Sequence, residues 1–207
     1  MRVLLAGFGP FPGVPRNPSA AVAQALARRR RPAFAALDRS VHIFATDYAA
    51  VDRDLPKLFA NKPDVVLIFG IAGRRRHICI EMRARNAVSL LFPDANGHCP
   101  STGVINAGGP AALFGCAPFH RLLSAARARD GSVRLSRDAG RYLCNYVYWR
   151  ALERAHSGPL VQFVHIPAIA RLSRRRRGNK KWRALTLGQV LAAAENILIA
   201  LASAPKR

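Results

Sequence analysis

The sequence predicts an α/β fold: a single-domain α/β/α open sandwich built on a largely parallel, twisted sheet. Three observations carry this reading. Short apolar runs alternate along the chain with longer amphipathic segments, the pattern of strands joined by crossover helices. One run, Val65-Val66-Leu67-Ile68-Phe69, is apolar without alternation, as a strand covered on both faces requires. Gly7 and Gly70 close two such runs, at the carboxyl ends of strands where open α/β sheets bind ligands.

The elements follow in order. Arg2 to Ala6 is a short buried strand ending at Gly7. Pro18 to Arg29 is a helix, with Asn17 as N-cap and Pro18 at the first helical position, where its missing N–H costs nothing. Val41 to Ala45 alternates as a strand, and Val51, Leu55, Leu58 and Phe59 mark a helix over 48–60. Asp64 to Gly70 is the central strand. Ile78 to Leu91 reads as one extended segment, and Pro110 to Arg127 as helical material broken by Pro118. Cys144 to Ala155 is a helix, Leu160 to His165 a buried strand, and Leu185 to Ala202 a long final helix with Thr186 near its start.

Length and composition agree with one domain. The chain has 207 residues, half of them hydrophobic, enough for one substantial core. The domain is expected to span 1–207, with a mobile basic surface loop at 171–183. Val3 to Ala6 is too short for the apolar region of a signal peptide, and Val190 to Ala202 is short for a bilayer span and contains Glu195. These features point to a soluble, cytoplasmic protein with no membrane partner. The formal net charge of +22 suggests nonspecific binding to nucleic acid through phosphate contacts. A richness in Arg, Ala, Pro and Gly equally fits a codon bias toward guanine and cytosine, so the charge has two explanations.

The chemistry concentrates in two segments. Cys144 stands at a helix start, where the partial positive charge of the helix favours thiolate. His165 stands at a strand end and can share the thiol proton. Glu81 is the candidate for the group that orients the imidazole. The other cysteines, Cys79, Cys99 and Cys116, form no C-x-x-C pair, and their spacing from His77 and His98 does not match zinc patterns, so no metal site is expected. The first turn, Gly7 to Gly13, is not a dinucleotide fingerprint: its third glycine comes one place late and two prolines interrupt it. Phe8 and Phe11 within it form either an apolar wall for a ligand or ordinary core.

Ordered blocks along nearly the whole chain resemble pyroglutamyl peptidase type I, the pyrrolidone-carboxylate peptidase family. G-F-x-P-F-x-G and N-P-S occur at Gly7 to Gly13 and Asn17 to Ser19, and P-D-V-V-x-x-x-G at Pro63 to Gly70. The A-G-x-R block and its following acid match Ala72, Gly73, Arg75 and Glu81, with Asn86 after them. P-D-x-x-G matches Pro93 to Gly97, and G-G-P-A-A matches Gly108 to Ala112. A-G-x-x-x-C-N matches Ala139 to Asn145, and H-I-P matches His165 to Pro167.

The resemblance implies a cysteine peptidase that removes N-terminal pyroglutamate through a Cys144–His165–Glu81 triad and a thioester, with no metal or organic cofactor. Its partner is a small peptide with N-terminal pyroglutamate, and family members often associate as homo-oligomers. Phe8 and Phe11 resemble the family's pocket aromatics, and Asn17, Ile71, Phe92 and Leu143 fall at positions that line or frame the pocket. The chain also departs from the family. Ile71 replaces a Gln, Arg74 a Gly, Met82 an Arg and Leu91 an Arg. These changes remove polar groups from the site region and add a cation beside it. Two other readings stay open on the sequence: a catalytically degenerate relative that acts as a binding protein, and a basic nucleic-acid-associated protein on an old hydrolase fold.

Overall fold

The computed structural model describes residues 1–11, 13–127, 132–155, 158–169 and 184–205. The basic segment expected to form a loop at 171–183 lies outside these residues. In chain order the strands are β1 (Arg2–Phe8), β2 (Asp38–Phe44), β3 (Val65–Ile71), β4 (Ile78–Glu81), β5 (Arg83–Arg85), β6 (Ala112–Phe114), β7 (Val133–Ser136) and β8 (Leu160–Ile166). The α-helices are α1 (Pro18–Arg28), α2 (Tyr48–Ala60), α3 (Phe119–Arg127), α4 (Leu143–Arg154) and α5 (Leu187–Ala202).

Six strands form the main sheet in the order β2-β1-β3-β8-β4-β7, and β5 with β6 make a separate two-stranded ribbon. The run β2-β1-β3-β8 is parallel. β4 then pairs antiparallel to β8, and β7 pairs parallel to β4. The sheet is therefore mostly parallel, with its last two strands reversed.

Alternate residues of each central strand feed two separate cores. Leu5, Leu67, Ile80 and Val164 pack with Val22 and Leu26 of α1, Leu122 of α3, and Ile197 and Leu198 of α5. Leu4, Ala6, Val66, Ile68 and Phe163 pack with Val51 and Leu55 of α2, and Val147 and Trp149 of α4. This two-sided burial is the physical reason that β3 shows no polar alternation.

The turn after β1 is fixed by polar contacts. Asn17 caps α1 by accepting from Ser19 N–H, and its Nδ2 donates to Gly9 O at 3.0 Å. Ser19 Oγ accepts from Phe8 N–H at 3.0 Å, which ties the strand end to the first turn of the helix. The approach is so close that a Cβ on Gly7 would sit 2.6 Å from the Ser19 carbonyl oxygen. On the same face, Thr186 and Gln189 form a reciprocal capping box at the start of α5.

Two segments differ from the sequence expectation. The extended segment read over 78–91 is interrupted at Met82, which exchanges backbone hydrogen bonds with Ser136 and Gly115 and separates β4 from β5. Past Arg85 the chain is irregular, pinned where Asn86 Oδ1 accepts from the backbones of Ile105 and Asn106. Of the segment read as helical over 110–127, only Phe119–Arg127 is helix, and Ala112–Phe114 pairs with β5 instead. β7 escaped the sequence reading because it is a four-residue edge strand interrupted by Arg134.

Two substitutions test this account of the α1 and α5 starts. Gly7→Ala should lower the unfolding free energy by about 3 kcal/mol, the upper end for overpacking, because the obstacle is backbone. Thr186→Ala should lower it by about 1 kcal/mol through loss of the cap. Urea denaturation monitored by circular dichroism checks both values and their order.

Candidate active site

Cys144 is the second residue of α4, just beyond the N-cap Tyr142, and no acidic side chain occupies that first turn. Gly140, at φ +84°, makes the turn that presents the helix start, a conformation that favours glycine. The sulfur lies directly over Gly70 in β3. A Cβ on Gly70 would meet it at 2.8 Å and the Phe163 ring at 2.7 Å, so the bare backbone at this position makes room for the thiol.

His165 is the penultimate residue of β8, in register between Gly70 and Cys79 of the flanking strands. Its ring is almost wholly buried and rests edge-on against Phe163, with ring centres 4.9 Å apart. On one side the imidazole faces the Cys144 sulfur, which interacts with it electrostatically. On the other, Nδ1 lies 2.8 Å from Glu81 Oε1. Glu81 closes β4 and is fully buried. The backbone carbonyl of Glu81 accepts from Tyr148 Oη at 3.0 Å and from Gln162 Nε2 at 2.9 Å, so the carboxylate stands on a fixed base.

A fourth residue joins the group. Arg75 Nη1 donates to the same Glu81 Oε1 at 2.7 Å and to Ser136 Oγ at 3.2 Å, and Nη2 donates to Asp138 O. Burial disfavours the imidazolium of His165 and is the largest influence on it. The Cys144 sulfur and the Glu81 carboxylate together outweigh burial and raise the His165 pKa to about 9. At neutral pH the imidazole therefore holds its proton, beside a sulfur placed at a helix N-terminus. At Cys79, burial pushes the thiol up, and the neighbouring Arg75 offsets this only in part.

The residues expected around a pocket divide into three groups. Leu143 and Ile71 are the chain neighbours of Cys144 and Gly70, the first buried and the second half-buried at the end of β3. Asn17 and Phe11 belong to the turn after β1. Phe11 is half-buried and exchanges backbone hydrogen bonds with Val14, at 3.2 and 2.8 Å. Phe8 is a core residue packed on Phe44, and Phe92 is 63 % exposed. The sequence reading passed over Thr46 and Tyr142. Thr46 Oγ1 donates to Gly9 O and Pro10 O at 3.3 and 3.2 Å, which holds the aromatic turn against β2. Tyr142 packs edge-on against Tyr48 and donates to Pro93 O at 2.9 Å, tying the start of α4 to the 89–93 segment. Arg75 was noted only as part of a motif, because a run of three arginines looks like a solvated surface. Among the described residues no three His, Cys, Asp or Glu side chains group to hold a metal ion.

Residues 1–202 match the sequence model of the pyroglutamyl peptidase family. The chain is 34 % identical over 168 residues to a pyrrolidone-carboxylate peptidase of Chromobacterium violaceum, covering 81 % of this chain and 78 % of that protein. It is 33 % identical over 172 residues to one of Gloeobacter violaceus, covering 82 % of each. Among solved structures, the pyrrolidone carboxyl peptidase of Fervidobacterium islandicum superimposes with a TM-score of 0.84 at 26 % identity, covering 98 % of both chains. Pyroglutamyl peptidase I of Bacillus amyloliquefaciens gives a TM-score of 0.83 at 25 % identity, covering 98 % of this chain and 95 % of that one.

The charge balance at His165 has a direct test. Glu81→Gln and Cys144→Ser each remove an attraction that holds the proton on the imidazole. Both should therefore move its titration below the parent value of about 9. Nitrogen-15 NMR of the histidine side chains reads the shift, and an unchanged titration in both variants contradicts the assignment.

Proposed function

The chain belongs to the pyroglutamyl peptidase family, and from that premise we propose that it removes N-terminal pyroglutamate from peptides, with Cys144 as nucleophile, His165 as acid and base, and Glu81 as orienting carboxylate. The observation that carries the assignment is the His165 ring held between the Cys144 sulfur and Glu81 Oε1. The Cys144 thiolate attacks the pyroglutamyl carbonyl and forms a C–S bond. Negative charge gathers on the carbonyl oxygen, where free N–H groups at the start of α4 can donate to it. The tetrahedral intermediate collapses as the C–N bond breaks, and protonated His165 gives its proton to the leaving amine. A water molecule then attacks the thioester while His165, now neutral, takes the water proton. Pyroglutamate leaves, and the sulfur and imidazolium return to their starting charges.

Arg75 acts on this sequence through Glu81. By donating to the same Oε1 that faces His165, it fixes the direction of the carboxylate. The pyroglutamyl ring is a flat, neutral lactam that suits an apolar slot. Phe11 supplies an apolar wall, and the backbone around Gly9 supplies polar groups. A peptide with a free N-terminal ammonium is rejected, since desolvating a charge there is costly.

Kinetics with a pyroglutamyl fluorogenic amide test this reading. First, kcat/KM falls as pH rises through about 9, because deprotonated His165 has no proton for the leaving amine; below that pH the proton is in place. Cys144→Ser should lower the rate by about a thousandfold or more. Second, Phe11→Ala should lower kcat/KM by about ten- to two-hundredfold while changing stability little, because the ring is only half-buried. A parent protein that releases no fluorophore refutes the activity, and an unaffected Phe11→Ala refutes the pocket wall.

A further inference from the structure

A cavity of about 700 Å³ opens on the sheet face opposite α4, where the end of α1 meets α5. Arg28, Arg29, Arg30 and Arg31 line it from the end of α1, and Glu195 and Asn196 line it from α5. Arg30 and Arg31 also border a neighbouring cavity of about 460 Å³, which Arg39 shares. We propose that these arginines bind consecutive phosphate groups, those of a polyphosphate or of a nucleic-acid backbone, at a site separate from the peptidase centre.

Preorganisation carries the assignment. An arginine run on a surface is ordinarily solvated, and binding must then order its long side chains. Here Glu195 is almost wholly buried and accepts from Arg29 Nε and Arg31 Nη1. One buried carboxylate thus holds two guanidiniums at the cavity wall. Each of them keeps further N–H groups with no partner among the described residues. The guanidiniums of Arg28 and Arg30 are exposed and make no hydrogen bond or ion pair with the described residues. The lining therefore sets four guanidiniums against a single carboxylate.

The backbone is also prepared for an anion. The carbonyls at the end of α1 carry the partial negative charge of a helix C-terminus, which repels anions. Arg39 Nη1 covers two carbonyls here, donating to Leu26 O at 2.9 Å and to Arg29 O at 2.8 Å.

The walls favour phosphate over base. No aromatic side chain lines the larger cavity among the described residues. Phe34 borders the smaller one, but it is buried, and the Arg39 guanidinium lies over its ring at 5.0 Å. A base finds no free aromatic face to stack on. Guanidiniums pair with phosphate oxygens two at a time, so a run of them suits phosphates in series better than an isolated carboxylate.

The test measures binding of tripolyphosphate and of a short single-stranded oligothymidylate to the full chain by isothermal titration calorimetry. The parent is compared with Arg28→Gln/Arg30→Gln and with a control, Lys57→Gln/Arg154→Gln, which removes the same charge from α2 and α4 on the opposite face. All four positions are exposed, so both variants retain the fold. The site variant should weaken tripolyphosphate binding by about tenfold or more, through loss of two charge-assisted donors. For the oligothymidylate it should flatten the slope of log affinity against log salt by about 1.4, the share of two phosphate contacts. The control should change either affinity by less than about twofold, since exposed charges beyond a Debye length are screened. Binding of tripolyphosphate that depends on Arg28 and Arg30 supports the site with a small polyphosphate as ligand. Binding of the oligothymidylate alone, with the same dependence, supports it with a nucleic-acid backbone as ligand. Equal losses in the two variants assign binding to the net charge of +22 and overturn the proposal. Binding of neither probe also overturns it, and the peptidase reading stands or falls apart from all these results.

Discussion

A single buried carboxylate oxygen, Oε1 of Glu81, organises the molecule around it. It accepts from His165 and from Arg75 in a place with no exposure to water. A charge there is tolerable only while both cations hold their positions, and removing one partner of such a group typically costs about 3–5 kcal/mol. Each contact reaches into a different part of the fold. His165 brings in β8, Arg75 brings in the 72–76 turn, and Arg75 in turn grips Ser136 of β7 and the Asp138 carbonyl. The edge of the sheet and the reactive centre are therefore one electrostatic unit.

This arrangement explains why the sheet reverses direction at β4. In a fully parallel sheet every strand delivers its last residue to the same crevice, where Gly70 and His165 lie. Glu81 closes an antiparallel strand, so it falls beneath His165, opposite Phe163 rather than beside the thiol. The imidazole is then approached from two sides, by sulfur above and by carboxylate below. Glycine at position 70 completes the geometry, since any side chain would displace either the sulfur or Phe163.

Much of this was legible in the chain, for reasons that can be stated residue by residue. Cys144 and His165 stood out because a helix start and a strand end each leave a local signature. Asn17 before Pro18 announced a cap, and β3 announced two-sided burial. Glu81 came from the order of motifs, since nothing local distinguishes a buried acid from a surface one. Arg75 was hidden inside a run of like charges, and only its distance to Glu81 separates it from Arg74 and Arg76. The break at Met82 was also hidden, because it depends on partners at Gly115 and Ser136, over 30 residues away in sequence. Phe8 and Phe11 look alike in sequence, and the fold makes one of them core and the other half-exposed.

The position of β8 has a bearing on how the molecule is made. This strand lies between β3 and β4, although both precede it by about eighty residues or more. Until residues 160–166 have left the ribosome, the nascent sheet has an open slot at its centre, and β4 with β7 has nothing to join. A long-range insertion of this kind is paid for in loop closure before it is rewarded by contacts, and it folds late. His165 rides on that same strand. The thiol of Cys144 is thus synthesised before its base is in reach, and the nucleophile is armed only by the step that closes the sheet.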